Sequence, residues 1–231
     1  MLNDNRSTEQ GQGTATVAIE CKKPTAGIVL AAGMSTRFGR PKQLLNLRGK
    51  TVLEWTLDAC LDSKLERIYL ILGYKHQEIM DAIFDKVDHQ GMKIIINRNF
   101  QNGQSTSLRA GILEIRDIFS SAMFILGDQP FIDSSTLNML LERYWASDKN
   151  IGVPFYQKNR GNPTIFSKKF YDDICSIEGD TGARKIIAHY PDQVLKIEVK
   201  HSSFFHDIDT EHDFETAQSI FNSSSKINSS G

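Results

Sequence analysis

The chain has 231 residues, 40% hydrophobic and 24% charged, which suffices for one large globular domain with its own core. With 27 basic and 28 acidic residues its net charge is -1, so the overall basic bias of a nonspecific nucleic-acid or membrane-surface binder is excluded and any anionic partner is met locally. Cys21, Cys60 and Cys175 are far apart without a C-x-x-C pair, and no apolar run approaches the roughly 18 residues of a membrane helix; this argues against a disulfide framework, a zinc site and a membrane span, and for a reducing, cytoplasmic compartment.

Residues 1–24 open with "MLNDNRSTEQGQGTATVAIE", which lacks the apolar centre of a signal peptide and reads as a flexible leader. A single domain is expected over 25–222, followed by a polar tail over 223–231. The first strand is "GIVLAA" (27–32), and hydrophobicity then stops abruptly. Gly33, Ser35, Thr36, Arg37, Gly39, Arg40, Pro41 and Lys42 follow before apolar residues return at Leu44. Gly33 and Gly39 permit close backbone approach, so amide N–H groups can turn inward on phosphate oxygens, and Arg37 and Lys42 add charge. The spacing is neither that of a Walker loop, which needs Lys directly after the second glycine, nor that of a dinucleotide G-x-G-x-x-G. Taken alone, such a loop is equally consistent with a solvated turn.

Further strands are expected at "RIYLILG" (67–73), "MKIIIN" (92–97), "AMFILGD" (122–128), "NIGVPFY" (150–156), "QVLKIEV" (193–199) and "FFHDID" (204–209). Between them lie helical stripes: Ile79, Ile83 and Val87; Leu108, Ile112, Ile115 and Phe119; Leu137, Leu140, Leu141 and Tyr144. A closing helix is expected from Glu211 to about Phe221. This alternation predicts an α/β fold, a doubly wound, mostly parallel sheet with ligands at the carboxyl ends of its strands. Asp128 and Asp209 each follow an apolar run, and two carboxylates at one sheet edge could share a metal, although an aspartate there is often only a turn former. Gly103 with Ser105 or Thr106 reads as a helix N-terminus, as does "GDTGAR" (179–184), with Asp180 or Thr181 capping a helix to Tyr190. The six histidines form no H-x-x-H or H-x-x-x-H pair, and His206 reads as a surface residue beside Asp207 and Asp209.

The pattern L-A-A-G-x-S-x-R-F-G-x-P-K-Q-L-L at Leu30–Leu45 resembles the signature of the MobA-like nucleotidyltransferases, and in particular of the molybdenum cofactor cytidylyltransferases. "NGQSTSLRAG" (102–111), "LGDQP" (126–130), "GNP" (161–163), "GDTGAR" and "DIDTEHD" (207–213) resemble that family's later segments in order. The resemblance implies a Rossmann-like nucleotidyltransferase fold and transfer of CMP from CTP to the phosphate of molybdenum-molybdopterin, with release of pyrophosphate. It implies nucleotide binding by Leu30, Ala31, Ala32, Gly33, Ser35, Arg37, Gly39, Lys42, Gly103, Ser105, Ser107 and Asp128. The acceptor would meet Gly161, Asn162, Pro163, Asp180, Gly182 and Arg184. A magnesium ion would sit on Asp128 and Asp209, while Lys42, Arg37 and Asp128 would carry catalysis. A molybdenum hydroxylase or its chaperone would receive the product, and neither nucleic acid nor membrane is an expected partner. Asn162 departs from the family, where histidine is common between that glycine and proline. Ala32 in place of a second glycine favours a pyrimidine, hence CTP over GTP. The competing expectations are a cytidylyl- or uridylyltransferase for a sugar or polyol phosphate, and a non-catalytic carrier of the cofactor.

Overall fold

The structure is a computed structural model and describes residues 24–35, 38–84, 90–200 and 203–227. Arg37, Val87, the expected leader up to residue 23 and the last four residues of the expected tail lie outside the described residues.

The strands are β1 (Thr25–Ala31), β2 (Asn46–Leu47), β3 (Lys50–Thr51), β4 (Arg67–Leu72), β5 (Met92–Ile96), β6 (Ser121–Leu126), β7 (Ile151–Tyr156), β8 (Asn159–Arg160), β9 (Thr164–Ser167) and β10 (Val194–Glu198). The helices are α1 (Val52–Leu61), α2 (His76–Ile83), α3 (Gln104–Ile115), α4 (Ser134–Trp145), α5 (Tyr171–Cys175), α6 (Arg184–His189) and α7 (Glu211–Ile227). The main sheet runs β10-β7-β9-β6-β1-β4-β5, with β8 paired to β7. β1 is central: Val29 lies opposite Leu70 of β4 and Ile125 of β6, both parallel. β10 is parallel to β7, whereas β9 runs antiparallel between β6 and β7.

The continuous hydrophobicity of the central strands follows from burial on both faces. In β1, Val29 and Ala31 enter one core with Leu70 and Leu72 of β4 and Met123 and Ile125 of β6. That face is covered by Leu53 and Leu57 of α1, Ile79 and Ile83 of α2, and Leu137, Leu140, Leu141 and Tyr144 of α4. The alternate residues Ala26, Ile28, Tyr69, Ile71, Ala122 and Phe124 enter a second core with Leu108, Ile112 and Ile115 of α3, Ile174 of α5 and Ile186 of α6. Period-2 alternation between two apolar layers is what a doubly wound sheet requires. A third cluster joins Leu45, Leu47 and Val52 to Ile208 and to Ala217 of α7. It draws the C-terminal segment across the front of the first loop.

Three local expectations are corrected. "FFHDID" is not a strand: Ser203–Phe205 forms a 3-10 turn, and the backbone bonds that follow go to Asp128 and to the start of α7 instead of to a sheet ladder. Phe204 and Ile208 are nevertheless buried, which explains the apolar pattern. Asp180 does not cap the helix after "GDTGAR", which begins only at Arg184 with Ala183 flanking it and no side-chain cap; the Thr181 side chain lies outside the described residues. The closing helix continues past Phe221 to Ile227.

Candidate active site

The first loop leaves β1 at the carboxyl edge of the sheet and is held by side chains that lie within it. Gln43, buried in the short 3-10 turn Lys42–Leu44, donates from Nε2 to the Ala31 carbonyl at 3.1 Å. Ser35 donates from Oγ to Gln43 Oε1 at 3.3 Å and accepts the Lys42 N–H at 3.1 Å. The end of β1, the loop and Lys42 thereby form one braced unit. Gly39 is left-handed, as expected, with φ +65°; at the other end of the loop the left-handed residue is Ser35, with φ 49°, and not Gly33. Among the described residues, a side-chain carbon built at Gly33 or Gly39 would meet nothing within 4 Å, so space adjoins the backbone at both glycines. Ala32 is buried, its methyl carbon facing Gly73.

Lys42 and the two aspartates converge. Lys42 Nζ lies 2.5 Å from Asp128 Oδ2 and 2.6 Å from Asp209 Oδ1, so those carboxylate oxygens are no farther apart than the two contacts together. Asp128 stands just beyond β6, as the sequence implied. Asp209 instead reaches the site from the loop before α7: Ile208 N–H donates to the Asp128 carbonyl at 3.1 Å. The Asp213 carboxylate then accepts the N–H groups of Asp209 and Thr210 at 3.1 and 2.7 Å and the Thr210 hydroxyl at 2.8 Å. These bonds cap α7 and fix the loop that bears Asp209.

The electrostatics follow from burial. Desolvation pushes the Asp128 carboxyl above the usual carboxylate range, with Lys42 opposing the shift and Asp207 and Asp209 adding to it. Burial by itself lowers the Lys42 ammonium, but Asp128 and Asp209 outweigh it and hold the group above its ordinary 10.5. Among the described residues, Asp128 Oδ1 is buried without a hydrogen-bond partner. An orphaned hard oxygen beside a second carboxylate fits a divalent cation that accepts one or two carboxylates and completes its shell with phosphate and water. Among the described residues no group of three His, Cys, Asp or Glu is placed to hold a metal ion, so such a cation has no closed protein cage here.

The segments expected on the acceptor side line one cleft of about 290 Å³. Gly161, Asn162, Gly182 and Arg184 line it, together with Leu30 and Gln104. Pro163 is buried, following a cis peptide bond. Asp180 stands apart from the cleft lining: its Oδ1 accepts the Gln104 N–H at 2.9 Å and so supplies the side-chain cap of α3. Gly103, with φ +100°, is the N-terminal flanking residue, and a side-chain carbon there would lie 2.6 Å from the Gly179 carbonyl carbon. Ser105 and Ser107 are 3% and 4% exposed, and Ser107 Oγ accepts Asn97 Nδ2 at 3.0 Å. Both side chains are thus largely withdrawn from the surface, and Ser107 Oγ is engaged by Asn97. Neither Gln43 nor Asp213 was singled out from the sequence; only the K-Q pair after the loop and the T-x-x-D spacing at 210–213 hinted at them.

This doubly wound sheet, with a glycine-bearing loop, a Lys–Asp–Asp junction and a cleft at its carboxyl edge, has the architecture of a nucleotidyltransferase. Residues 27–194 match the MobA-like NTP transferase domain, and the chain belongs to that family. Among curated relatives, the nicotine blue oxidoreductase of Paenarthrobacter nicotinovorans is 27% identical over 192 residues, covering 80% of this chain and 91% of that protein. The molybdenum cofactor cytidylyltransferase of Escherichia coli K12 is 27% identical over 206 residues, covering 87% and 96%. The crystal structure of Rv0371c from Mycobacterium tuberculosis in complex with manganese superposes with a TM-score of 0.70 at 27% identity, covering 85% of this chain and 98% of that one. No helix among the described residues is long and apolar enough to cross a membrane.

Proposed function

We propose that this chain transfers CMP from CTP to the terminal phosphate of molybdenum-molybdopterin and releases pyrophosphate, producing the cytosine dinucleotide form of the cofactor. The observation that carries the reading is the Lys42–Asp128–Asp209 junction, with Asp128 two residues beyond Leu126 of the cleft that the "GNP" and "GDTGAR" segments also line. The cytidylyltransferase relative, matched across almost its whole length, supports the choice of substrates.

In this reading an oxygen of the acceptor phosphate forms the new bond to the α-phosphorus while the α–β bridging oxygen leaves with pyrophosphate. The acceptor phosphate is already deprotonated near neutral pH, so positioning and charge stabilisation are the enzyme's main tasks. The backbone at Gly33 and Gly39, with Arg37, takes the triphosphate, and Lys42 faces the α-phosphate where charge grows. Asp128 and Asp209 would hold magnesium, which when bound screens the phosphates from one another. Gly161, Asn162, Gly182 and Arg184 take the acceptor. We place the reaction in the cytoplasm, with a molybdenum hydroxylase or its chaperone as recipient.

Pyrophosphate release measured with each nucleoside triphosphate, with and without molybdopterin, tests the reading. Release that requires both CTP and molybdopterin is expected. Release driven by a sugar or polyol phosphate would move the chain to the other transferase class, and cofactor binding without any release would make it a carrier.

A further inference from the structure

Arg160 was not singled out by any motif, yet it lines the same cleft as Arg184. Arg160 ends the two-residue strand β8, where it pairs with Phe155 of β7, and Arg184 begins α6. Both guanidiniums are exposed, and neither makes a hydrogen bond or ion pair with another described residue. No carboxylate lines the cleft, whose apolar floor includes Leu30, Leu108 and Phe124. Arg184 also lines a neighbouring pocket with Asp180, but the cleft it shares with Arg160 offers an anion two cationic side chains and no lining carboxylate.

The backbone around Arg160 is built to hold it there. Tyr156 and Asn159 flank a two-residue hairpin turn in which Gln157 and Lys158 have φ 47° and 73°. Positive φ at both central positions is the turn whose twist matches a β-hairpin, and it is adopted here without the usual glycine or asparagine. Such conformations in non-glycine residues persist where the surroundings enforce them. Just past Arg160, Gly161 donates its N–H to the Pro154 carbonyl at 2.9 Å, and a side-chain carbon at Gly161 would lie 2.0 Å from the Phe205 ring. The hairpin is therefore tied down at its Gly161 end.

We infer that Arg160 is a second anion-binding residue of this cleft, acting with Arg184 as a two-guanidinium clamp on a phosphate dianion carried by a flat, apolar-faced acceptor. Arginine suits the role because its planar fork donates to two phosphate oxygens at once. This inference rests on the reading that the cleft receives the acceptor. The test uses the full chain and phenyl phosphate as probe, with uncharged phenol as control, followed through the arginine Nε–Hε resonances in ¹⁵N-labelled protein. Comparison with Arg160→Gln and Arg184→Gln assigns the two signals. Phenyl phosphate should shift both, phenol neither, and Arg160→Gln should weaken phenyl phosphate binding at least tenfold, with Arg160→Lys recovering part of the loss. In turnover, Arg160→Gln should raise the acceptor KM at least tenfold while the CTP KM and the melting temperature stay constant. A shift confined to Arg184, or unchanged probe affinity in Arg160→Gln, overturns the clamp. If both signals shift but wild type does not turn over molybdopterin, the clamp stands and the proposed acceptor is wrong.

Discussion

The Lys42 ammonium lies 2.5 Å from the Asp128 carboxylate, and the same nitrogen reaches Asp209, 167 residues later in the chain, at 2.6 Å. One cation from the phosphate loop thus sits between both carboxylates proposed to hold magnesium. If that metal and Lys42 act on the transferring phosphate together, Asp128→Asn or Asp209→Asn should keep the fold and lower kcat about a hundredfold, with weakened magnesium dependence. Lys42→Ala should lower kcat more than it raises KM. Chelation should abolish turnover and added magnesium restore it. Near-full magnesium-dependent activity in both Asn variants would reduce the aspartates to turn formers.

The same contact makes a prediction without substrate. Lys42→Met leaves the Asp128 carboxylate largely buried and unpaired, whereas the double variant with Asp128→Asn removes the charge as well. Thermal melts at neutral pH should therefore show the double variant more stable than Lys42→Met alone, a non-additivity expected only of residues in direct contact. Because Lys42 is held above its ordinary 10.5, its contribution to stability is complete below that value and is lost as pH rises through the higher folded-state value. Wild type should lose stability above about pH 10.5 more steeply than Lys42→Met. Parallel pH profiles would show that the ion pair adds nothing to the fold.

Gly103 and Asp180 join the start of α3 to the Gly179–Arg184 segment. Gly103→Ala places a side-chain carbon against the Gly179 backbone and strains a residue at φ +100°. A loss of about 1 kcal/mol or more is expected from denaturant titration. Asp180→Ala removes the cap of α3, which should cost about 1 kcal/mol. Both variants should raise the KM of acceptor and nucleotide together, since Gly179–Arg184 and the start of α3 share this contact. A change in only one KM would uncouple the two halves of the site.

For nucleotide choice, the buried methyl of Ala32 is expected to narrow the space beside the base and favour CTP over GTP. Ala32→Gly should shrink the ratio of kcat/KM values, within the roughly 1–3 kcal/mol that one methyl-sized change provides. A wild-type kcat/KM for GTP equal to that for CTP would reject this assignment.

Much of the fold was legible because both faces of the central sheet are buried: β1, β4 and β6 read as continuous apolar runs, and the stripes of α3 and α4 marked the helices that cover them. The loop from Gly33 to Lys42 and Asp128 were legible because their chemistry stands next to the strand that positions them. The antiparallel β9 was not, because four residues carry too little periodicity to reveal which neighbours they will pair with. Asp209 was legible as a residue but not in its setting: the apolar residues before it resembled a strand, while in the fold Phe204 and Ile208 anchor a loop. By itself, then, the sequence determined the layered α/β sheet, the position of the glycine-bearing loop after β1 and the identity of the acidic residues, all properties of short segments whose periodicity or charge is local. Only the tertiary structure decided that Gln43 braces the loop, that Asp180 caps α3 in place of its own helix, and that Arg160 shares a cleft with Arg184. These are contacts between segments far apart in the chain, and side-chain partners at that range are set by how the layers pack, which no local pattern encodes.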